Sequence, residues 1–213
     1  MPLMRVKYIS PSTILGIWRL DEPESYFQPQ LDNYVVDPEQ LNLISHDGRR
    51  KEWIAGRFLI YQLAKLMMLE FNGVYSDEFG KPHLYKTSGH ISISHAHPYV
   101  TAMIDTKHSC GVDIERIRPK LVKLAPKFLS EVEQAQSKNK EANLAVSWAA
   151  KEALYKLHGR KRLIFKENLE LKSIPFDQQK GDFMGIIKEK NSVQTIKMKF
   201  QRDQDFVLVF SIS

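Results

Sequence analysis

Two stretches of helical periodicity, one in each half of the chain, constrain this sequence more than any other feature. From Arg50 to Phe71 the apolar residues Trp53, Ile54, Phe58, Tyr61, Leu63, Leu66 and Met67 recur at the spacing of one helix face. Asp47 is placed to cap this helix and Asn72-Gly73 to end it. A second long helix is predicted over 141–158, closed by Gly159. Each is accompanied by short runs of β-branched and aromatic residues. Residues 5–9 and 13–19 precede the first helix, after a short helix at 38–46 is allowed for. HISISHA and YVTAMID, joined at His97-Pro98, read as a hairpin, and Cys110–Glu115 as a further strand. Residues 119–128 and 130–138 read as helices, and NLELKSI, DFMGIIKEK, VQTIKMKF and DFVLVFSIS as closing strands. The turn-rich YSDEFGKPHLYKTSGH is read as a loop. Helices packed on antiparallel sheets, in two halves alike in outline, give an α+β fold.

Composition narrows the function. A chain of 213 residues holds one large domain or two small ones. No apolar run approaches the roughly 20 residues that span a bilayer, and MPLMRVKYIS lacks the apolar core of a signal peptide. One cysteine excludes an internal disulfide and a cysteine-based zinc site. These features point to the cytoplasm and away from the membrane. The net charge of +6 suits a phosphorylated cofactor or an acidic protein partner. The basic residues are dispersed, without the interleaved aromatics or module of a nucleic-acid binder.

The acids carry the chemistry. Asp113 and Glu115 are i and i+2 on a predicted strand, so both carboxylates face the same way and Ile114 the other. Two such acids repel unless a cation sits between them, and a hard divalent ion such as magnesium prefers carboxylate oxygen. Trp148, Glu152 and Lys156 are spaced four apart on one helix face. Glu152 could be a third oxygen ligand, and Lys156 could hold a phosphate as a point charge. Magnesium with few protein ligands completes its shell with water and substrate phosphates, which suggests phosphoryl-type chemistry. The same residues also read as solvated surface acids and an i, i+4 surface pair. His95 and His97 allow a zinc site with Asp113 and Glu115. Gly80-Lys81-Pro82 puts a lysine on a rigid turn, placed to meet an anion.

In order along the chain, EWIAGRFLIYQL (52–63), GKP (80–82), ISISHAH (91–97), GVDIE (111–115), KFLSEVE (127–133) and WAAKEALYK (148–156) resemble the 4′-phosphopantetheinyl transferases, specifically the larger, surfactin-synthetase-activating type. The last stretch matches the family's Trp-x-x-Lys-Glu-x-x-x-Lys signature completely. The resemblance implies two similar α+β halves related by a pseudo-twofold, 1–106 and 107–213, with the active site in the cleft between them and the metal in the second. It implies that coenzyme A is the donor. Its 4′-phosphopantetheine arm passes to a serine of an apo acyl or peptidyl carrier protein, with release of 3′,5′-ADP, in fatty acid or secondary metabolite biosynthesis.

Carried over by residue, the resemblance implies magnesium on Asp113, Glu115 and Glu152. It makes Glu152, or a water it holds, the acceptor of the serine proton. Lys156 would touch the phosphates, and Lys151 is a second candidate for proton transfer. Ser94, His95 and Lys81 would contact the 3′-phosphate end of coenzyme A, which displaces the zinc reading of His95. Ala96 and Lys161 depart from residues common in the family. Arg50, with Arg49, lies near the basic N-terminal contact to coenzyme A at a different spacing, and Arg57 could be structural. Lys120, Lys123 and Lys127, at helical spacing, either form a rim that steers an acidic carrier protein or are a solvated face. Duplicated halves in one chain suggest a monomer. The rival readings are a relative that only binds coenzyme A or carrier protein, and a two-metal hydrolase built on His95, His97, Asp113 and Glu115.

Overall fold

The computed structural model describes residues 3–31, 38–160 and 163–212. Lys161, one of the two departures above, lies outside them. Among the described residues the fold is α+β, with seven α-helices and two antiparallel sheets. The chain divides into two units, Met1–Cys110 and Gly111–Ser213. No helix is long and apolar enough to cross a membrane.

The first unit holds a six-stranded sheet in the order β1-β2-β6-β5-β4-β3. Its strands are β1 (Leu3–Ser10), β2 (Thr13–Arg19), β3 (Val74–Ser76), β4 (Pro82–Leu84), β5 (His90–Ala96) and β6 (Tyr99–Asp105). The β5–β6 hairpin pairs Ala96 with Tyr99 around His97-Pro98. The long helix α3 (Asp47–Leu66) packs across β2, β5 and β6, burying Ile54, Phe58, Leu59 and Leu63. The short helices α1 (Glu24–Phe27) and α2 (Pro38–Asn42) precede it. Trp18 on β2, Phe27 on α1 and Phe58 on α3 meet edge-to-face in the core, at centroid distances of 5.3–5.9 Å. Cys110 closes the unit. It is buried, and burial pushes its thiol up to about 12.

Two details depart from the sequence reading. Helix α3 stops at Leu66, five residues before Phe71. Met68 takes a left-handed conformation at φ 55°. The amides of Met68 and Leu69 then donate to the carbonyls of Lys65 and Ala64, a Schellman closure without glycine. Asp47 is the first helical residue rather than the cap, which is His46. An acid there still complements the helix dipole. The segment 75–90 is not all loop. Asp77 accepts from the amides of Phe79 and Lys81 and pairs with His83, folding β3 back on β4.

The second unit holds a five-stranded sheet in the order β7-β11-β10-β9-β8. Its strands are β7 (Val112–Arg116), β8 (Leu169–Lys172), β9 (Lys180–Glu189), β10 (Ser192–Arg202) and β11 (Phe206–Ile212). Helix α6 (Glu141–His158) packs on this sheet and buries Leu144, Ala149, Ala153 and Leu154. Gly159, at φ 78°, ends α6 as the sequence indicates. Helices α4 (Lys120–Phe128), α5 (Glu131–Ser137) and α7 (Phe165–Asn168) flank it. Ser130 and Glu133 form a capping box at α5. Ser130→Ala is expected to lower folding stability by about 1 kcal/mol, read from the shift of the urea-unfolding midpoint.

Candidate active site

The strand β7 and helix α6 meet because Gly111 has no side chain. A Cβ at that position would lie 2.0 Å from the carbonyl oxygen of Ala153 and 2.9 Å from Cβ of Leu157. In the register of β7 with β11, Asp113 sits opposite Val209 and Glu115 opposite Val207. Both valines belong to the core cluster that contains the buried face of α6. Cross-strand partners share a face of the sheet. Asp113 and Glu115 therefore face α6, and Ile114 the opposite side.

On α6, Lys156 reaches Asp113 with its Nζ 2.6 Å from Oδ1. Asp113 is only 4% exposed. Glu115 accepts from the guanidinium of Arg118 at 2.5 Å. Glu152 has no hydrogen bond or ion pair among the described residues. Burial pushes its carboxyl up to about 7, and the charges of Asp113 and Glu115 add to this, while Lys156 opposes it. The structure thus brings Asp113, Glu115, Glu152 and Lys156 together, as the sequence spacing suggested. It adds Arg118, which the sequence reading missed. The signal was available: a basic residue three positions after Glu115, just past the strand end.

As they stand, no three His, Cys, Asp or Glu side chains among the described residues are grouped to hold a metal ion. The donor set nevertheless fits one. Three carboxylates on two facing elements repel one another, two are matched by an internal cation, and the third is driven toward its neutral form. A hard divalent cation accepts oxygen ligands of this kind.

Lys151 does not join this cluster. Its side chain is fully buried and donates to Glu133 at 2.8 Å and to the carbonyl of Phe165 at 3.1 Å. Desolvation lowers its pKa, against the raising influence of Glu133. The structure thus places Lys151, read from the sequence as a second proton-transfer candidate, in the core and away from the carboxylate cluster. Glu133 also accepts from the amide and hydroxyl of Ser130 and the amide of Leu171. Lys151→Met would leave a buried carboxylate with these three donors. The expected loss is about 3 kcal/mol, the low end for breaking a buried pair, measured by urea unfolding.

The first unit has its own concave site, a cavity of about 430 Å³ lined by Leu43, Ile44, Ser45, His46, Arg49, Trp53 and His95. Nδ1 of His95 lies 2.9 Å from Glu52, which α3 buries against the sheet. His95 is therefore oriented by a carboxylate, with its side chain half exposed. Arg50 does not line the cavity. Its guanidinium donates to the carbonyl of Leu41 and to Glu24, tying α2 and α1 to α3. Arg49 is the basic residue at the cavity. Neither Ser94, buried on β5, nor Lys81 lines it. Burial lowers the pKa of Lys81, partly offset by Cys110 and Asp77. Arg57 stacks on the Trp53 ring at 3.2 Å and is buried, a structural placement. On α4, Lys120, Lys123 and Lys127 are exposed while Leu121, Ala125 and Phe128 are buried.

Residues 109–209 match the family model of the 4′-phosphopantetheinyl transferase superfamily. That stretch includes β7 and α6 and every member of the carboxylate cluster. No curated protein matches the chain.

Proposed function

We propose that this protein transfers the 4′-phosphopantetheine arm of coenzyme A to a serine of an apo acyl or peptidyl carrier protein, with magnesium, releasing 3′,5′-ADP. The observation that carries this is the cluster of Asp113, Glu115 and Glu152 with Lys156 beside it, inside the stretch that matches the superfamily. A transferase of that superfamily is what the match supports. The particular donor, acceptor and metal are our reading, as is the larger, surfactin-synthetase-activating subtype. The subtype is favoured by a complete α+β unit preceding the matched stretch.

Asp113, Glu115 and Glu152 would hold the metal, which when bound supplies positive charge to a diphosphate. Glu152 is suited to receive the serine proton, because a carboxyl that titrates near 7 is a competent base at neutral pH. Ligating a metal would limit that basicity. Lys156 can place its ammonium on a phosphate oxygen and so favour departure of the leaving group. To the first unit we assign the nucleotide end of coenzyme A. His95, held by Glu52, and Arg49 at the cavity suit its 3′-phosphate; Ser94 and Lys81, to which the resemblance also assigns that contact, do not line the cavity. The exposed lysines of α4 are the proposed landing surface for an acidic carrier protein. We read the protein as a cytoplasmic monomer.

The test is the intact mass of an apo acyl carrier protein after incubation with the protein, coenzyme A and magnesium. A gain of one phosphopantetheine, lost with Asp113→Ala or a chelator, is the expected outcome. No gain on that carrier, or on a panel of synthase carrier domains, would favour a binding-only relative.

A further inference from the structure

We propose that Arg118 and Lys156 are built-in counter-ions of the carboxylate cluster, which a divalent cation must displace before it can bind. The inference rests on the functional reading above and concerns how that site is loaded. Each cation has one side-chain partner among the described residues. For Lys156 it is Asp113, and for Arg118 it is Glu115. Arg118 is incompletely satisfied, because its Nε is buried without a hydrogen-bond partner. A guanidinium that leaves a buried donor unpaired is held in place by the charge of Glu115 rather than by a fitted pocket. Both Asp113 and Glu115 would have to turn oxygens from these cations toward a shared ion.

Two consequences follow from this geometry. First, a divalent ion alone binds weakly, since two of the three ligands it gains, Asp113 and Glu115, must each give up an existing ion pair. Second, the released ammonium and guanidinium need a new anionic partner, and the diphosphate of the donor provides one. Metal and donor therefore bind with positive coupling, each improving the other by the same factor. Arg118 is a positioning residue in this scheme: it restrains Glu115 until the metal arrives, and then adds positive charge at the diphosphate.

The test is Mn²⁺ binding to the full chain, followed through the free-ion electron paramagnetic resonance signal, without carrier protein and with or without coenzyme A. Arg118→Met and Lys156→Met are each expected to bind Mn²⁺ alone about tenfold more tightly than the unaltered protein. In both variants, the tightening of Mn²⁺ binding by coenzyme A should shrink by a similar factor. Arg116→Met removes the same charge from an exposed neighbour of Glu115 and should change the affinity less than about twofold. Arg118→Lys should restore the weak binding. Thermal melts establish that each variant is folded. Equal Mn²⁺ affinities for the methionine variants at 116, 118 and 156 would overturn the proposal, as would looser binding at 118 or 156. If the unaltered protein transfers the arm while these affinities stay flat, only the counter-ion scheme falls. If it neither transfers nor binds Mn²⁺, the functional reading falls with it.

Discussion

Glu152→Gln should lower the rate of transfer to a carrier protein by about three orders of magnitude, corresponding to ~4 kcal/mol of transition-state stabilisation. The amide keeps the shape of the side chain but, on the proposed function, would remove a ligand charge and the proton acceptor together. The same substitution should stabilise the metal-free protein. The folded Glu152 holds its proton up to about pH 7, whereas the unfolded carboxyl releases it near 4.5. Between those values the unfolded state ionises first, so stability falls as pH rises, and the full penalty is present above pH 7. Calorimetric melts with a chelator should therefore show the variant more stable by about 1–3 kcal/mol at pH 8 and level with the parent at pH 4.5. Added magnesium should raise the melting temperature of the parent and leave the variant nearly unmoved. A variant that melts lower than the parent at pH 8 without metal would mean that Glu152 is not under electrostatic stress.

The second large effect is expected at Gly111. A methyl group there must displace the backbone of α6 at Ala153, since no flexible side-chain end is available to yield. Separating β7 from α6 would also open the core beneath them. Gly111→Ala is expected to cost about 4–5 kcal/mol or more, among the largest effects of a single substitution. Equilibrium unfolding by tryptophan fluorescence would report it, since Trp148 stands on α6 against Phe128 and Phe165. A loss below about 1 kcal/mol would mean that the helix shifts freely and that this close approach does not fix the site.

The helix α6 was legible at both ends, because its apolar spacing and terminal glycine describe one local structure. So was the pairing of Asp113 with Glu115, since alternation along a strand is a local rule. The end of α3 was not legible. Apolar spacing continues through Leu66 and Met67, while the turn depends on Met68 adopting a conformation that glycine usually supplies. The strands β3 and β4 escaped because three-residue strands carry little pattern, and the Asp77 side chain that folds them reads only as a turn residue. Lys151 and Glu152 are neighbours in the signature, yet one enters the core toward Glu133 and the other joins the carboxylates. Sequence spacing separates their helix faces, but not which face meets α5. The glycine of GVDIE did carry a signal, because glycine at a strand start often marks a close backbone approach. Arg50 and Arg49 show the limit most plainly: adjacent and identical, they are told apart only by the carbonyl of Leu41 and by Glu24, which capture one of them.

The single cysteine gives the molecule a practical property. With its thiol sealed in the interior and held protonated far above neutral pH, Cys110 is a poor nucleophile toward alkylating reagents. A cysteine placed at exposed Lys123 would then be the one thiol to react rapidly. Spin or fluorescent labels could be attached there singly, in an otherwise unaltered chain, to test whether an acidic carrier protein approaches along α4.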